Sequence, residues 1–343
     1  MQYFISFVSM QLKIRLYHII CSLCIVSGFQ TFAQQLEYDV QFYGFGDNRE
    51  YDGYDKAISQ TMLGERTSFA LGTTLEGNNS FRFGLDHLFE FGSGLNEKLP
   101  KLIAYYQYED DKKTFYFGAF PRMNLIDFPL ALITDTFNYY RPNIEGFYAD
   151  YRWKWGHQAG FVDWTSRQTD NRRETFMAAL NGEIRGGSFF FQNYLTLFHY
   201  AGKGIRQENE FVEDNLALAL YLGSDLDELL PLQKGYIRTG VLESTYRNRG
   251  EGNTFQKSWS FTAELYAEIK YFALRANISQ GDGLHITNGD RYYDLKSYLR
   301  TDVIWKFLQK EHVEGHFNLS FHLLNFSVLD QSQQLALVYR FGK

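Results

Sequence analysis

The feature that most constrains this chain is sustained period-two alternation. Across 258–270 the odd positions are Trp259, Phe261, Ala263, Leu265, Ala267 and Ile269, and the even ones run Ser258 to Lys270 through Thr262, Glu264, Tyr266 and Glu268. Successive side chains of a strand point to opposite faces, so such a run builds one apolar and one polar face. Residues 271–279, 316–323 and 335–341 repeat the pattern. Residues 292–307 set Tyr293, Leu295, Leu299, Val303, Trp305 and Phe307 against Tyr292, Asp294, Lys296, Tyr298, Arg300, Asp302 and Lys306. Read as one strand, that run exceeds the usual 5–6 residues of a sandwich strand and suits a tilted strand crossing a bilayer.

Composition agrees. An aromatic fraction of 18%, with 25 Tyr and 32 Phe, excludes disorder, and only 5 Pro exclude collagen-like or proline-driven chains. Mean hydropathy is −0.35, and past the N-terminus no run approaches the roughly 18 apolar residues a spanning helix needs. A β-rich soluble protein and a membrane β-barrel remain. The barrel is the class in which heavy Phe/Tyr usage and scarce Pro are expected.

The N-terminus sets the compartment. Lys13 and Arg15, the apolar run Leu16 to Phe29 and the small residues before Gln34 have the layout of a signal peptide over residues 1–33, with translation expected to start at Met10. Cys21 and Cys24 both fall inside it and neither follows a lipobox. The remainder, 34–343, is read as one domain without cysteine, stabilised by a closed hydrogen-bonded sheet rather than disulfides. Its balance is more acidic than the formal −6 of the whole chain, so no nucleic-acid partner is expected.

Further strands are read near 37–46, 65–76, 80–91, 100–108, 113–120, 144–155, 157–166, 173–183, 187–199, 213–222 and 235–246, sixteen in all. Segment 144–155 alternates cleanly, and 187–199 poorly. Six of the seven connections after even-numbered strands are short, the exception running from Gly223 to Lys234, whereas those after odd strands are generally longer (47–63, 92–99, 121–143, 167–172, 200–212, 247–256, 280–290, 325–332). That is the asymmetry of periplasmic turns and outer loops. All five prolines fall at strand margins or in connections, where no ladder N–H is lost. The expected fold is all-β, a transmembrane antiparallel barrel of about sixteen strands.

These features together resemble the sixteen-stranded porin superfamily of Gram-negative outer membranes. The terminal strand Leu335 to Phe341 is similar to the C-terminal motif read by the barrel assembly machinery, although Gly342 and Lys343 follow the Phe. Strand count and connection parity match over 34–343. The longest connection, 121–143, follows the fifth strand, where porins place the loop that narrows the channel. The resemblance implies export through the Sec pathway, residence in the outer membrane among lipid and lipopolysaccharide, and passive diffusion of small polar solutes through a water-filled lumen. A homotrimer enters by analogy alone.

On that reading 121–143 folds inward, burying Leu125, Ile126, Phe128, Leu130, Leu132 and Ile133 and turning Asp127, Asp135 and Arg141 to the water path as constriction charges. The lumenal wall would carry Asp150, Arg152, Lys154, Glu264, Glu268, Arg275, Asp294, Lys296, Arg300, Asp302 and Arg340, either sorting solutes by charge or pairing among themselves. Trp153, Trp155, Trp259, Trp305, Tyr339 and Phe341 read as interfacial girdles. A sugar track would need Tyr148, Tyr266, Tyr292 and Tyr298 to cluster.

Enzymatic signals are weak. His87, His157, His199, His285, His312, His316 and His322 are scattered with no nucleophile motif nearby. The segment Gly281 to Asp290 offers two Asp for Ca²⁺ or simply forms an outer loop. The chain is therefore expected not to be an enzyme and to need no cofactor or metal. The rival readings are an adhesin, an assembly or secretion partner and, third, a barrel-embedded lipid enzyme.

Overall fold

A computed structural model describes residues 35–75, 77–93, 99–123, 125–205 and 211–342. The export segment expected at 1–33 lies outside the described residues.

Sixteen strands form one closed antiparallel barrel in which every strand pairs with its sequence neighbours and the last pairs with the first. They are β1 (Gln35–Glu50), β2 (Gln60–Leu75), β3 (Asn79–Glu90), β4 (Lys101–Glu109), β5 (Lys113–Pro121), β6 (Asn143–Trp153), β7 (Gly156–Ser166) and β8 (Thr175–Gly186). The second half comprises β9 (Phe189–Tyr200), β10 (Glu213–Asp225), β11 (Lys234–Asn248), β12 (Gln256–Ile269), β13 (Phe272–Gly281), β14 (Ser297–Gln309), β15 (Val313–Leu324) and β16 (Val328–Gly342). At the seam Phe42 lies opposite Tyr339 on one side and Thr67 on the other. Closure leaves no edge, so the ladder satisfies the backbone polar groups within a bilayer.

Parity decides which way each side chain points. On β10, Asn215, Ala217, Ala219 and Tyr221 are buried inward, whereas Leu216 and Leu222 face outward and are exposed. The outward face carries Phe69, Leu71, Phe81, Phe83, Leu85, Phe117, Trp259, Phe261 and Trp305. Leaving such side chains in water forgoes roughly 1.5–3 kcal/mol each, a cost that acyl chains remove. This belt makes the outside of the barrel a lipid surface.

Periplasmic connections are tight except 226–233 between β10 and β11, and the outer connection read at 325–332 shrinks to 325–327 because β16 begins at Val328. Gly77 and Asn78 both take positive φ (70° and 64°), the backbone of a type I′ hairpin turn, which Gly and Asn tolerate best. The run 292–307 is not one strand. β14 begins at Ser297, and Arg291–Asp294 forms a 3-10 turn whose N-cap, Asp290, accepts a hydrogen bond from the Tyr292 N–H at 3.1 Å. Asp294 and Lys296 therefore belong to the outer connection and not to the lumenal wall. Lys154 also leaves the wall, because it stands exposed in the Lys154–Trp155 turn between β6 and β7.

Candidate functional site

The outer half of the bore is filled. The connection between β5 and β6, which includes the short helix α1 (Phe137–Tyr140), buries Ala131, Leu132 and Ile133 against inward side chains of the wall, among them Phe120, Ile144, Phe161, Met177, Tyr221 and Leu242. The connection between β13 and β14 adds Leu284, Ile286, Tyr292 and Tyr293 to the same apolar cluster. On the opposite wall the Tyr139 ring stacks on Phe45 at 4.5 Å. The two connections bond to each other through Thr134 N to Asn288 O and Asp290 N to Leu130 O, both 2.8 Å.

Polar contacts pin this plug. The buried Arg122 pairs with Asp163 and donates through Nε to the Arg141 carbonyl at 3.0 Å. Asn215 on β10 donates to the His285 carbonyl at 2.8 Å and accepts from Thr287 N at 2.9 Å. Asp135 accepts from Arg49 at 2.8 Å and Gln334 at 2.6 Å. Burial would raise the Asp135 carboxyl, but Arg49 and Arg300 hold it below its usual range, whereas burial pushes Asp290 up.

Beneath the plug, a cavity of about 460 Å³ lies between the connection and the periplasmic half of β8–β13. Asp127 lines it from the connection, and Glu264, Arg275 and Arg300 from the wall. Most wall charges are paired: Glu264 with Arg238 at 2.8 Å, Glu268 with Lys306 at 2.6 Å, and Arg300 with Asp302 at 2.7 Å. Asp150 pairs with Arg152 at 3.2 Å and His157 at 3.0 Å. Arg340 reaches the Met123 sulfur at 3.0 Å. Arg141 is exposed, and Asp294 holds Lys56 at 3.1 Å among the outer connections. The four tyrosines of a sugar track do not gather: Tyr292 meets Tyr298 at 5.3 Å, but Tyr148 packs on Tyr116 and Tyr266 on Tyr236.

The lipid-facing surface holds a different kind of constellation, one that spacing along the chain conceals. Trp164 on β7, Phe176 on β8, His199 on β9, Asp214 on β10 and Arg247 on β11 are direct cross-strand partners in succession and form one outward row near the outer ends of five strands. His199 Nδ1 lies 2.7 Å from Asp214 Oδ1. Arg247 pairs with the other carboxylate oxygen, and Arg249 approaches it at 3.2 Å. The rings of Trp164 and Phe176 stack at 5.3 Å, and Phe176 covers His199 at 5.2 Å. Below the row the same face is apolar, with Ala178, Leu197 and Leu216 in the next outward positions and Leu180, Leu195 and Leu218 after them.

Chemically, the row is an imidazole oriented by a carboxylate. The Nδ1–H donates to Asp214, which leaves the Nε2 lone pair free for a proton, while two guanidiniums retain donors for an anionic group. Sequence reading left His199 among the scattered histidines. The usable signal was its parity, because it ends the outward series Phe191, Asn193, Leu195, Leu197, just as Asp214 opens the outward series Leu216, Leu218, Leu220, Leu222.

A second histidine has partners but no access. His322 touches Tyr298 at 2.7 Å and Ser332 at 3.1 Å, and all three are fully buried under Tyr51. Among the described residues no group of three His, Cys, Asp or Glu is arranged to hold a metal ion. In the segment Gly281 to Asp290, Asp290 caps the 3-10 turn and Asp282 lies 3.4 Å from the Trp259 amide.

Fold and outward belt together define an outer-membrane β-barrel. The solved structures it resembles include a loop-deletion mutant of OmpT from Vibrio cholerae (8% identity, TM-score 0.56, covering 90% of this chain and 100% of that one). An anion-selective porin from Comamonas acidovorans (10%, 0.52, covering 90% and 99%) and Salmonella typhi OmpF in complex with daunomycin (10%, 0.52, covering 89% and 97%) are similar. At such identities the likeness is one of fold. No curated protein matches the chain in sequence.

Residues 29–341 match the family described as lipid A 3'-O-deacylase-type, and the chain belongs to that family. Membership overturns the expectation that the chain is not an enzyme, since the family's description is that of an ester-cleaving activity.

Proposed function

We propose that this barrel is an acyl-ester hydrolase of the outer leaflet, acting on a lipid-A-type glycolipid. The observation that carries the reading is the His199–Asp214 dyad, held on the lipid side of the wall at the rim where headgroup esters lie. Family membership supports the same chemistry. The filled outer half of the bore weighs against passive diffusion.

In this reading Nε2 of His199 takes a proton from a water molecule as its oxygen attacks the ester carbonyl. Asp214 steadies the imidazolium that forms, and the imidazolium returns its proton to the departing sugar oxygen as the C–O bond breaks. The products are a free fatty acid and a hydroxyl. Arg247 and Arg249 hold a phosphate of the glycolipid, and the apolar rows below the dyad carry the acyl chain.

The test is incubation of the purified full chain with lipid A in detergent, reading the loss of one acyl chain by mass spectrometry. His199→Gln should lower the rate at least 100-fold while heat-modifiable gel mobility shows an intact barrel. An unchanged rate in that variant rejects the dyad as the catalytic base.

A further inference from the structure

On the far side of the barrel from the dyad, the lipid-facing wall of β1–β5 is hollowed into an apolar groove of about 690 Å³. Leu71, Phe81, Phe83, Tyr106 and Phe117 form its sides, and the small Ala104 leaves its floor low. The lower row of the groove, Thr73–Phe81–Tyr106–Phe117, runs level across four strands. Phe115 and Lys113 continue the outward parity of β5 toward the periplasm, so Lys113 lies four residues from Phe117, about 14 Å along the strand. With strands tilted by about 40°, that places Lys113 roughly 10 Å nearer the periplasmic surface, inside the roughly 15 Å occupied by one leaflet's acyl chains.

What lies at that level carries both signs of charge. The β4–β5 turn is Asp110-Asp111-Lys112, followed by Lys113. Asp110 is occupied within the turn, accepting from the Lys112 and Lys113 amides at 2.8 and 2.7 Å and from the Tyr108 hydroxyl at 2.7 Å. The Lys112, Lys113 and Asp111 side chains form no ion pair among the described residues and are exposed. The arrangement offers cations for a phosphate and a carboxylate for an ammonium, above an apolar slot continuous with the acyl-chain belt.

We propose that this groove is a specific site for a zwitterionic phospholipid of the inner leaflet. One acyl chain lies in the slot between Phe83 and Phe117, the phosphate sits on Lys112 and Lys113, and the headgroup ammonium sits on Asp111. The site is separate from the dyad and stands whether or not the hydrolase reading holds.

The experiment reconstitutes the full chain into bilayer discs of equal phosphatidylethanolamine and phosphatidylglycerol, releases it into mild detergent and counts retained lipids by native mass spectrometry. The wild type should keep one phospholipid, with phosphatidylethanolamine at least threefold enriched. Ala104→Trp fills the slot and should abolish retention. Lys112→Ser/Lys113→Ser should keep the lipid but bring the ratio to one. Heat-modifiable mobility confirms that each variant is folded. A wild type that retains no lipid, or retains both in bilayer proportion, overturns the proposal, as does retention undiminished by Ala104→Trp.

Discussion

The two faces of the same strands use charge in opposite ways. Inside, charged side chains are numerous and most are paired with one another: Arg122 with Asp163, Arg238 with Glu264, Arg300 with Asp302, Lys306 with Glu268. Each ion has a counter-ion and often a hydrogen bond, so these pairs keep a filled, low-dielectric bore from holding bare charge. Outside, the row at the rim of β7–β11 concentrates its polarity on one carboxylate. Its histidine spends one nitrogen on that carboxylate and keeps the other. A side chain with a reserved partner and an unreserved lone pair is suited to moving a proton, whereas a satisfied ion pair is suited to holding a wall.

The sharpest way to break this contrast is to replace a titratable side chain on each face by a neutral one of similar size. His199→Gln removes the base and should cost at least two orders of magnitude in deacylation, since a positioned general base contributes about 10²–10⁴-fold. Asp214→Asn should cost less in rate than His199→Gln, because the imidazole stays but loses the carboxylate that orients it. The check is the deacylation rate of both variants beside the wild type at one pH. Equal rates for wild type and Asp214→Asn would place the chemistry elsewhere.

The next test addresses the plug. Deleting residues 125–140 removes Leu132 and α1 from the bore. In a planar bilayer the intact chain should show no sustained conductance steps and the deletion should show them. Large steps from the intact chain would restore the diffusion reading. A smaller effect is expected from Asp163→Asn, which leaves Arg122 buried without its counter-ion. Breaking such a pair costs about 3–5 kcal/mol, read as a lower denaturant midpoint of the folded barrel in lipid.

Much of the fold was legible because the period of a strand is two and the bilayer enforces it over many residues. Segment 258–270 became β12 with Glu264 and Glu268 inward, and the connection parity held at most joints, failing at 226–233, which is long for a periplasmic turn, and at the outer connection read at 325–332, which is only 325–327. The exception at 292–296 is physical. Tyr292-Tyr293-Asp294-Leu295-Lys296 alternates as a strand would, yet Asp290 accepts from the Tyr292 amide and Lys56 reaches over from the first outer connection to hold Asp294. Both interactions depend on partners that alternation does not register. The dyad was illegible for a related reason. His199 and Asp214 are fifteen residues apart, and only the register of β9 against β10 makes them neighbours. The poor alternation of 187–199 reflects aromatic side chains on both faces, Phe190 buried inside and Phe189 exposed outside.

The smallest expected effect is also the most discriminating for the lumen. Glu268 and Lys306 meet at 2.6 Å near the periplasmic end, with the lysine a quarter exposed. Water reaches this pair, so its Coulomb gain is largely screened and offset by the side-chain order it requires. Glu268→Gln keeps the size and the hydrogen bond from the Tyr266 hydroxyl at 2.6 Å. It should change stability by under about 1 kcal/mol and leave deacylation at the wild-type rate. If the lumenal charges instead served the reaction or steered a solute to it, neutralising this one would alter turnover without altering stability. A rate loss of tenfold with an unchanged denaturant midpoint would show that the inner face takes part in function and that the division between the two faces is wrong.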